Sequence, residues 1–179
     1  LPEVETVVRD LQAAGVIGRT ITGARISWPR TVEGLSPRTF SSRIAGGRIL
    51  EVHRRAKYIV VSLSGPQWLV GHLRMTGRLA VKDSASPRDT HERMALLLDD
   101  GREIRFIDTR KFGRWALTPE PDSKLGGLGP EPLASTFKTR HLQEILKSHR
   151  HMLKPLLLDQ HVIAGLGNIY VDEALWRAR

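Results

Sequence analysis

The spacing of apolar and polar residues over the first eighteen positions is typical of an amphipathic helix. Four apolar residues recur at the i, i+3, i+4 and i+7 positions, which share one helical face. Pro2 suits a first-turn position, and the acidic Glu3 and Glu5 lie where the helix dipole favours negative charge. We expect this helix to end at Gly15 or Gly18. The apolar positions are Val4, Val7, Val8 and Leu11.

The next hundred residues have the shorter period of β-strands. Their apolar segments are rich in β-branched residues, and Asp100-Gly101 is a strong hairpin turn signal between two of them. A second turn is expected at Met75-Thr76-Gly77. No long helical pattern interrupts the strands, so we predict a mostly antiparallel sandwich or flattened barrel. The strand segments are TITGARISW, RILEVHRRAKYIVVSL, QWLVGHLRM, RLAVK, MALLLDDGREIRFID and RWALT.

A segment dense in proline and glycine separates the strands from a region with a helical period. The later segments FKTRHLQEILKSH, LKPLLLDQ and GNIYVDEALWRAR predict three helices. The sequence therefore predicts an α+β chain. Its parts are a β-sandwich with an N-terminal helix over 1–117, a linker over 118–134 and a helical region over 135–179.

Basic residues outnumber acidic ones by 28 to 19 among the 179 residues, which gives a net charge of +9. This excess favours nucleic acid first and an acidic membrane surface second, against a soluble basic protein with neither partner. Because there is no cysteine, disulfides and a cysteine-based zinc site are excluded within these residues. No apolar run approaches the roughly 20 residues of a membrane span and no signal peptide opens the chain, so we expect a cytoplasmic protein.

The stretch IAGLGNIYVDEALW, residues 163–176, has the features of a phosphate-binding turn. Gly165 and Gly167 lie between two predicted helices, which excludes the strand-turn-helix fingerprint of dinucleotide sites. The second helix would present free N–H groups at its N-terminus, with Asn168 as N-cap and Lys154 adding a full charge. The alternative is a tight inter-helical turn with glycines for packing. The net charge favours a clamp for a nucleic-acid phosphate.

Six segments resemble, in order and spacing, the formamidopyrimidine-DNA glycosylase and endonuclease VIII family. GHLRMTG and DTRKFG make the formamidopyrimidine branch the better match. The resemblance implies enzymes that excise oxidised purines, such as 8-oxoguanine and formamidopyrimidines, from duplex DNA and then nick the strand. It also implies a β-sandwich followed by a helix–two-turn–helix motif and a zinc finger. The segments are LPEVETVVRDL, RRAKYIVVSL, GHLRMTGRL, DTRKFGRW, LGPEPL and LLLDQHVIAGLGNIYVDEALWRA.

The resemblance gives roles to residues of the strand region. Lys57 would assist the lyase steps, whereas from the residues alone it is part of a solvated basic cluster at the start of a strand. Met75 and Phe112 would fill the hole left by the displaced nucleotide, and Arg110 would contact the orphaned cytosine. Without the resemblance, Met75 would be a core filler, and Phe112 a packed aromatic in a charged loop. His91 would contact the DNA backbone.

In the helical region the resemblance assigns the phosphate contacts to Lys154, Asn168 and Arg150. His149 and His151 are two positions apart and would face different sides of a helix, so we do not expect them to form a metal site. The expected partner is duplex DNA that contains oxidised purines or abasic sites. The resemblance further implies a monomer associated with the bacterial nucleoid.

The chemistry of the family depends on an N-terminal Pro-Glu that precedes LPEVET, whereas this sequence starts at Leu1. That proline amine forms a Schiff base with the sugar. Pro2 cannot replace it, because the nitrogen of Pro2 is an amide; Glu3 matches a glutamate with a supporting role. We expect no cofactor in this chain and one zinc ion in a C-terminal finger of the complete protein.

Three hypotheses remain open. The first is a part of a longer glycosylase with lyase activity, inactive as this chain stands. The second is a truncated relative that binds damaged or abasic DNA without cutting it. The third is a basic domain that binds RNA, which would be expected to show stacking aromatics, and only 6% of the residues are aromatic.

Overall fold

The computed structural model describes residues 2–150 and 152–178. The chain divides into two compact units. Residues 2–54 and 58–123 make the β unit, and residues 55–57 and 124–178 make the helical unit. The sequence predicted a linker over 118–134, but residues 124–134 belong to the helical unit.

The order of elements confirms the α+β class, with an N-terminal helix, a run of strands and then helices. In the β unit the elements are α1 (Pro2–Ala13), β1 (Ile21–Ile26), β2 (Val32–Glu33), α2 (Pro37–Ile44), β3 (Ile49–Arg55), β4 (Tyr58–Leu63), β5 (Trp68–His72), β6 (Arg78–Asp83), β7 (Glu92–Leu98), β8 (Arg102–Ile107) and β9 (Arg114–Thr118). The later helices are α3 (Asp122–Leu125), α4 (Thr139–Ser148), α5 (Leu153–Leu158) and α6 (Asn168–Ala178).

The strands form two sheets, in the orders β1-β7-β8-β6 and β2-β9-β5-β4-β3. The pairs β1–β7, β7–β8, β6–β8, β4–β5 and β5–β9 are antiparallel, and the two-residue β2 pairs with β9 in parallel. The predicted antiparallel sandwich is therefore confirmed. Its core includes the fully buried Phe40, Phe106 and Trp115, and the apolar face of α1 packs into the same cluster.

Helix α2 was not predicted from the sequence, which was interpreted as strands throughout this region. Its start has a local signal: Ser36 is the N-cap and accepts a 3.1 Å hydrogen bond from the Thr39 N–H, and Pro37 occupies the first helical turn. The helix buries Phe40 and Ile44. Its eight residues are too short for the apolar period to stand out against the strands around it.

Two connections pass from one sheet to the other. Residues 73–77, the first crossing, join β5 to β6, and residues 108–113, the second crossing, join β8 to β9. The register aligns His72 with Arg114 in one sheet and Arg78 with Ile107 in the other. The two crossings therefore run side by side at one edge of the sandwich.

The helical unit has its own small apolar core. Leu157, Ile163 and Val171 are buried in it, and apolar residues of α4 pack against them. No helix within the described residues is long and apolar enough to cross a membrane.

Candidate nucleic-acid interface

The two crossings bring together three of the residues singled out in the sequence. The Arg110 guanidinium donates to Met75 Sδ over 3.1 Å and lies 4.9 Å from the centre of the Phe112 ring. Met75 is 71% exposed and Phe112 48% exposed, so neither side chain fills the core. We call Met75, Arg110 and Phe112 the wedge cluster. It presents two apolar side chains and one cation at the surface.

The backbone of both crossings is held in conformations that L-residues rarely adopt. Arg74 (φ 56°) and Lys111 (φ 61°) are left-handed and lie directly before Met75 and Phe112. Each such residue costs about 1–2 kcal/mol, so tertiary contacts must hold the turns in place. One such contact is visible at Lys111, whose ammonium lies 4.4 Å from the centre of the Trp28 ring.

Glycines allow both crossings to lie directly on the core. A Cβ at Gly113 would overlap the Phe106 ring, and a Cβ at Gly77 would overlap both that ring and the Leu73 carbonyl. Phe106 is itself fully buried. The wedge cluster is thus supported from below by a fixed aromatic side chain, and any side chain in place of either glycine would lift a crossing from it.

His91 lies on the same unit, directly before β7. Its ring Nδ1 is 3.2 Å from an Arg93 guanidinium nitrogen, and its backbone N–H donates to the Asp89 carboxylate over 2.9 Å. Arg93 also donates through Nε to the Asp108 carbonyl over 2.8 Å. Because Asp108 starts the second crossing, His91 is connected to the segment that carries Arg110 and Phe112.

Lys57 lies in the hairpin turn between β3 and β4, so the expectation that it starts a strand was wrong. The turn is fixed by other contacts within the helical unit. The N–H of Ala56, a left-handed residue (φ 52°), donates to Glu131 Oε1 over 2.6 Å. Arg55 forms an ion pair with Glu131 at 3.2 Å and donates to the Gly129 carbonyl over 2.8 Å. Burial lowers the pKa of Lys57 below the ordinary value of a lysine.

The Lys57 ammonium lies beside the turn between α5 and α6. A Cβ built on Gly167 would be 3.9 Å from Lys57 Nζ. Gln160 organises this turn: its side-chain N–H donates to the Leu166 carbonyl over 3.0 Å, and its Oε1 accepts from the Gly165 N–H over 2.9 Å. Gly165 has a φ of 99°, which explains why glycine is needed there. The turn and Lys57 thus form one site.

Asn168 is the first residue of α6 and not its N-cap, which corrects the sequence-based expectation. The Gly167 carbonyl accepts from the Val171 N–H over 3.0 Å, so the helix is entered through Gly167. The first turn of an α-helix carries N–H groups without intrahelical partners and a partial positive charge. The arrangement can therefore still bind an anion.

The remaining residues singled out in the sequence, where the structure describes them, lie on exposed or partly exposed parts of the two units. Lys154 Nζ forms an ion pair with Asp172 Oδ1 at 2.6 Å, and both side chains are nearly half exposed. Arg150 is exposed on the connection between α4 and α5. Glu3 is exposed in the first turn of α1. Of the histidine pair, His149 is bonded through Nδ1 to the Ile145 carbonyl at 2.9 Å, while His151 lies outside the described residues.

Sequence reasoning missed the residues that hold these side chains in place. Asp108, Glu131 and Gln160 each fix a turn that carries predicted site residues. Asp108 lies within the motif DTRKFG and Glu131 within the motif LGPEPL, but the resemblance gave neither residue a role. Their partners are distant in sequence, 32 positions for Asp108 with Thr76 and 75 for Glu131 with Ala56. Neighbouring residues therefore gave no sign of the contacts.

The described residues, from 2 to 178 without 151, contain no group of three or more metal-binding side chains. The zinc ion that the resemblance implies needs cysteine ligands in its family form, and the sequence has none. The residues of this chain do not fit that metal, and we assign it no site here.

Comparison with known families and proteins gives a consistent match. The model of the formamidopyrimidine-DNA glycosylase N-terminal domain matches residues 1–115, and that of the H2TH domain of the same glycosylase matches residues 128–179. The formamidopyrimidine-DNA glycosylases of Protochlamydia amoebophila and Chloroflexus aurantiacus are 45% and 49% identical to this chain along its whole length. The chain spans 65% of the length of each.

Solved structures agree with the sequence matches. A complex of the Lactococcus lactis glycosylase with DNA that contains an abasic site has a TM-score of 0.88 and 34% identity. The match covers 98% of this chain and 65% of that one. A complex of the same enzyme with DNA that contains a formamidopyrimidine lesion has a TM-score of 0.87, also at 34% identity.

Proposed function

This chain belongs to the formamidopyrimidine-DNA glycosylase family, and from that premise we propose that its protein acts in base-excision repair. The proposed reaction removes oxidised purines, such as 8-oxoguanine and formamidopyrimidines, from duplex DNA and then cleaves the strand at the abasic site. The observation that carries the proposal is the wedge cluster. Two exposed apolar side chains stand beside a guanidinium on two crossings fixed to one core.

The wedge cluster suits an enzyme that displaces a nucleotide from the duplex. Unstacking a base costs a few kcal/mol, and an apolar side chain inserted into the void offsets part of that cost. Met75 and Phe112 have the required exposure and chemistry. Arg110 offers N–H donors that match the acceptor edge of the base left without its partner.

The helical unit supplies the contacts to the sugar–phosphate backbone in this proposal. The N-terminus of α6 favours an anion, and the Lys57 ammonium lies beside the same turn. Because burial lowers the pKa of Lys57, its ammonium gives up a proton more readily than an exposed lysine does. This property suits a group that assists the proton transfers of strand cleavage. The Schiff-base step belongs to an N-terminal proline amine, and we assign it to no residue of this chain.

Borohydride trapping tests the enzymatic proposal. The chain with Pro-Glu placed before Leu1 is incubated with an 8-oxoguanine duplex and reduced. We expect a covalent protein–DNA adduct, since reduction fixes the Schiff base. The matched control carries Gly-Glu in the same place, and an undamaged duplex serves as the second control. If the Pro-Glu chain binds the damaged duplex but gives no adduct, the glycosylase proposal is wrong.

The alternative function is binding to damaged or abasic DNA without cleavage. It is supported by features that need no nucleophile, namely the exposed wedge cluster and the first turn of α6, which favours an anion. The 179-residue chain should then bind a duplex with a tetrahydrofuran abasic analogue more tightly than an intact duplex. Lys154→Ala should make the salt dependence shallower, by at most about 0.9 in the slope of log K against log salt. Equal binding to intact DNA, damaged DNA and duplex RNA would refute both functions.

A further inference from the structure

One buried side chain lies where the two crossings meet. Asp108 follows the end of β8 and is 1% exposed. We propose that Asp108 is the positioning residue that couples the first crossing to the second, so that Met75, Arg110 and Phe112 enter DNA as one preformed unit. The inference about DNA rests on the proposed function, whereas the coupling itself can be observed on the protein alone.

The carboxylate of Asp108 is bonded to both crossings. Oδ1 accepts from the Thr76 hydroxyl in the first crossing and from the Arg110 N–H, at 3.1 Å, in the second. Oδ2 accepts from the Gly113 N–H at 2.8 Å, and the Phe112 N–H also donates to the carboxylate. The same side chain thus binds the residue after Met75 and the backbone of both second-crossing members of the wedge cluster.

The backbone of Asp108 extends the coupling to a third segment. Its N–H donates to the His91 carbonyl over 2.9 Å, and its carbonyl accepts from Arg93 Nε over 2.8 Å. His91 is the residue predicted to contact the DNA backbone. Arg110 and His91 are thus direct hydrogen-bonding partners of Asp108. Met75 and Phe112 are next in sequence to two further partners, Thr76 and Gly113.

The electrostatics favour an ionised carboxylate in this buried place. Burial by itself raises the pKa of Asp108, but hydrogen bonds from Thr76 and from the Gly113, Arg110 and Phe112 N–H groups outweigh it. The pKa therefore lies below the ordinary value of an aspartate. An amide in this position would turn one acceptor into a donor that faces other donors. Asp108→Asn should accordingly release at least one crossing while keeping the shape of the side chain.

Thr76 offers a milder way to break the link. Thr76→Val keeps the shape and removes only the hydroxyl, whereas Thr76→Ser keeps the hydroxyl. If Asp108 merely stabilises the sandwich, Thr76→Val will lower stability without changing the position of Met75. If it couples the crossings, Met75 will lose its fixed environment in Thr76→Val and regain it in Thr76→Ser.

Methionine-methyl NMR distinguishes these outcomes. The sequence has three methionines, of which Met94 is buried in the sandwich core and Met152 lies in the helical unit. In Asp108→Asn and Thr76→Val we expect the Met75 methyl signal to move towards its value in the unfolded chain and to narrow. The Met94 and Met152 signals should stay in place and thereby report that the variants are folded. An unchanged Met75 signal in both folded variants would overturn the proposal.

A DNA experiment tests the consequence for lesion recognition. The duplex carries 2-aminopurine beside a tetrahydrofuran abasic analogue, so that its fluorescence reports unstacking on binding. We expect the native chain and Thr76→Ser to raise the fluorescence and to prefer this duplex over an intact one. Thr76→Val should lose at least fivefold of that preference, with binding to the intact duplex unchanged within twofold.

The two experiments test separate claims, so either claim can be refuted without the other. If the native chain shows no preference for the abasic duplex, the proposed function is wrong, and the NMR result still decides whether Asp108 couples the crossings. If the native chain shows the preference and Thr76→Val retains it fully, the coupling has no part in recognition, and the positioning role of Asp108 is refuted.

Discussion

Under the proposed function, a DNA phosphate must compete with Asp172 for the Lys154 ammonium, and removing the Asp172 carboxylate should strengthen DNA binding. The two groups are 2.6 Å apart, with 43% of the Lys154 side chain and 49% of the Asp172 side chain exposed. An exposed ion pair of this kind is worth about 0.2–1 kcal/mol, since water screens it. A phosphate that approaches Lys154 must share the ammonium with Asp172 or displace that carboxylate. Asp172→Asn removes the competitor.

The upper part of that energy range corresponds to a measurable gain in affinity. About 0.4–1 kcal/mol corresponds to a two- to fivefold tighter complex, at 1.4 kcal/mol for a factor of ten. Because Lys154 no longer shares its charge with Asp172, the slope of log K against log salt should steepen, by less than the value of about 0.9 that one complete phosphate contact gives. The free energy of unfolding should change by less than about 1 kcal/mol.

Fluorescence anisotropy with an abasic duplex, measured from about 50 to 200 mM salt, provides the assay. Glu144→Gln is the matched control, because it breaks the exposed pair with Arg140, 2.9 Å apart, on the same unit and changes the net charge of +9 by the same amount. We expect the control to gain less than half as much and to leave the slope unchanged. Equal gains in the two variants would mean that net charge alone explains the effect, and the role of Lys154 would be refuted.

Three further predictions concern the β unit. In Gly71→Ala the new Cβ would overlap the Trp115 ring, so the free energy of unfolding in urea should fall by about 1–3 kcal/mol. In the control Gly23→Ala the nearest atom is 3.7 Å from the new Cβ, and the free energy of unfolding should fall by less than about 1 kcal/mol. The pKa of Asp108 is lower in the folded chain than in the unfolded chain, so its ionised carboxylate stabilises the fold. This stabilisation is complete above the unfolded pKa of about 3.9 and is lost as the pH falls from there through the folded pKa. The stability gap between the native chain and Asp108→Asn, from urea unfolding between about pH 7 and 3, should therefore narrow in that acid range; a constant gap would contradict it. Arg74→Gly should raise the free energy of unfolding by about 0.5–1 kcal/mol, because it relieves a left-handed residue (φ 56°), and a loss would show that the Arg74 side chain contributes more than the strain costs.

Local patterns determined the elements of this fold and the general chemistry of its surface. The helical period over Val4, Val8 and Leu11 correctly predicted the buried face of α1, because only one face of a surface helix can enter the core. The Asp100-Gly101 turn signal between two apolar runs predicted the β7–β8 hairpin, because a two-residue turn of this kind joins neighbouring antiparallel strands. The excess of basic residues indicated a polyanion, and the order of the motifs indicated the family.

Contacts between distant segments decided the rest. The sequence placed Lys57 at the start of a strand and Asn168 at an N-cap. The hydrogen bond that the Ala56 N–H donates to Glu131 holds Lys57 in a turn, and the helix is entered through Gly167, which puts Asn168 inside it. The sequence also predicted that Lys154 adds a full charge to a phosphate clamp, and in the folded chain this ammonium forms an ion pair with Asp172. The placements of Lys57 and Lys154 depend on residues that are distant in sequence and close in the fold, so they cannot be predicted from neighbouring residues alone.

The sequence by itself thus determined which residue types stand on which face of each element, because helical and strand periods are properties of the local backbone. Only the tertiary structure decided that Met75, Arg110 and Phe112 form one cluster with Asp108 beneath it. That arrangement follows from the register of β5 with β9 and of β6 with β8, which brings two crossings side by side. Register is fixed by burying one face of every strand at once, and it is therefore a property of the whole sandwich.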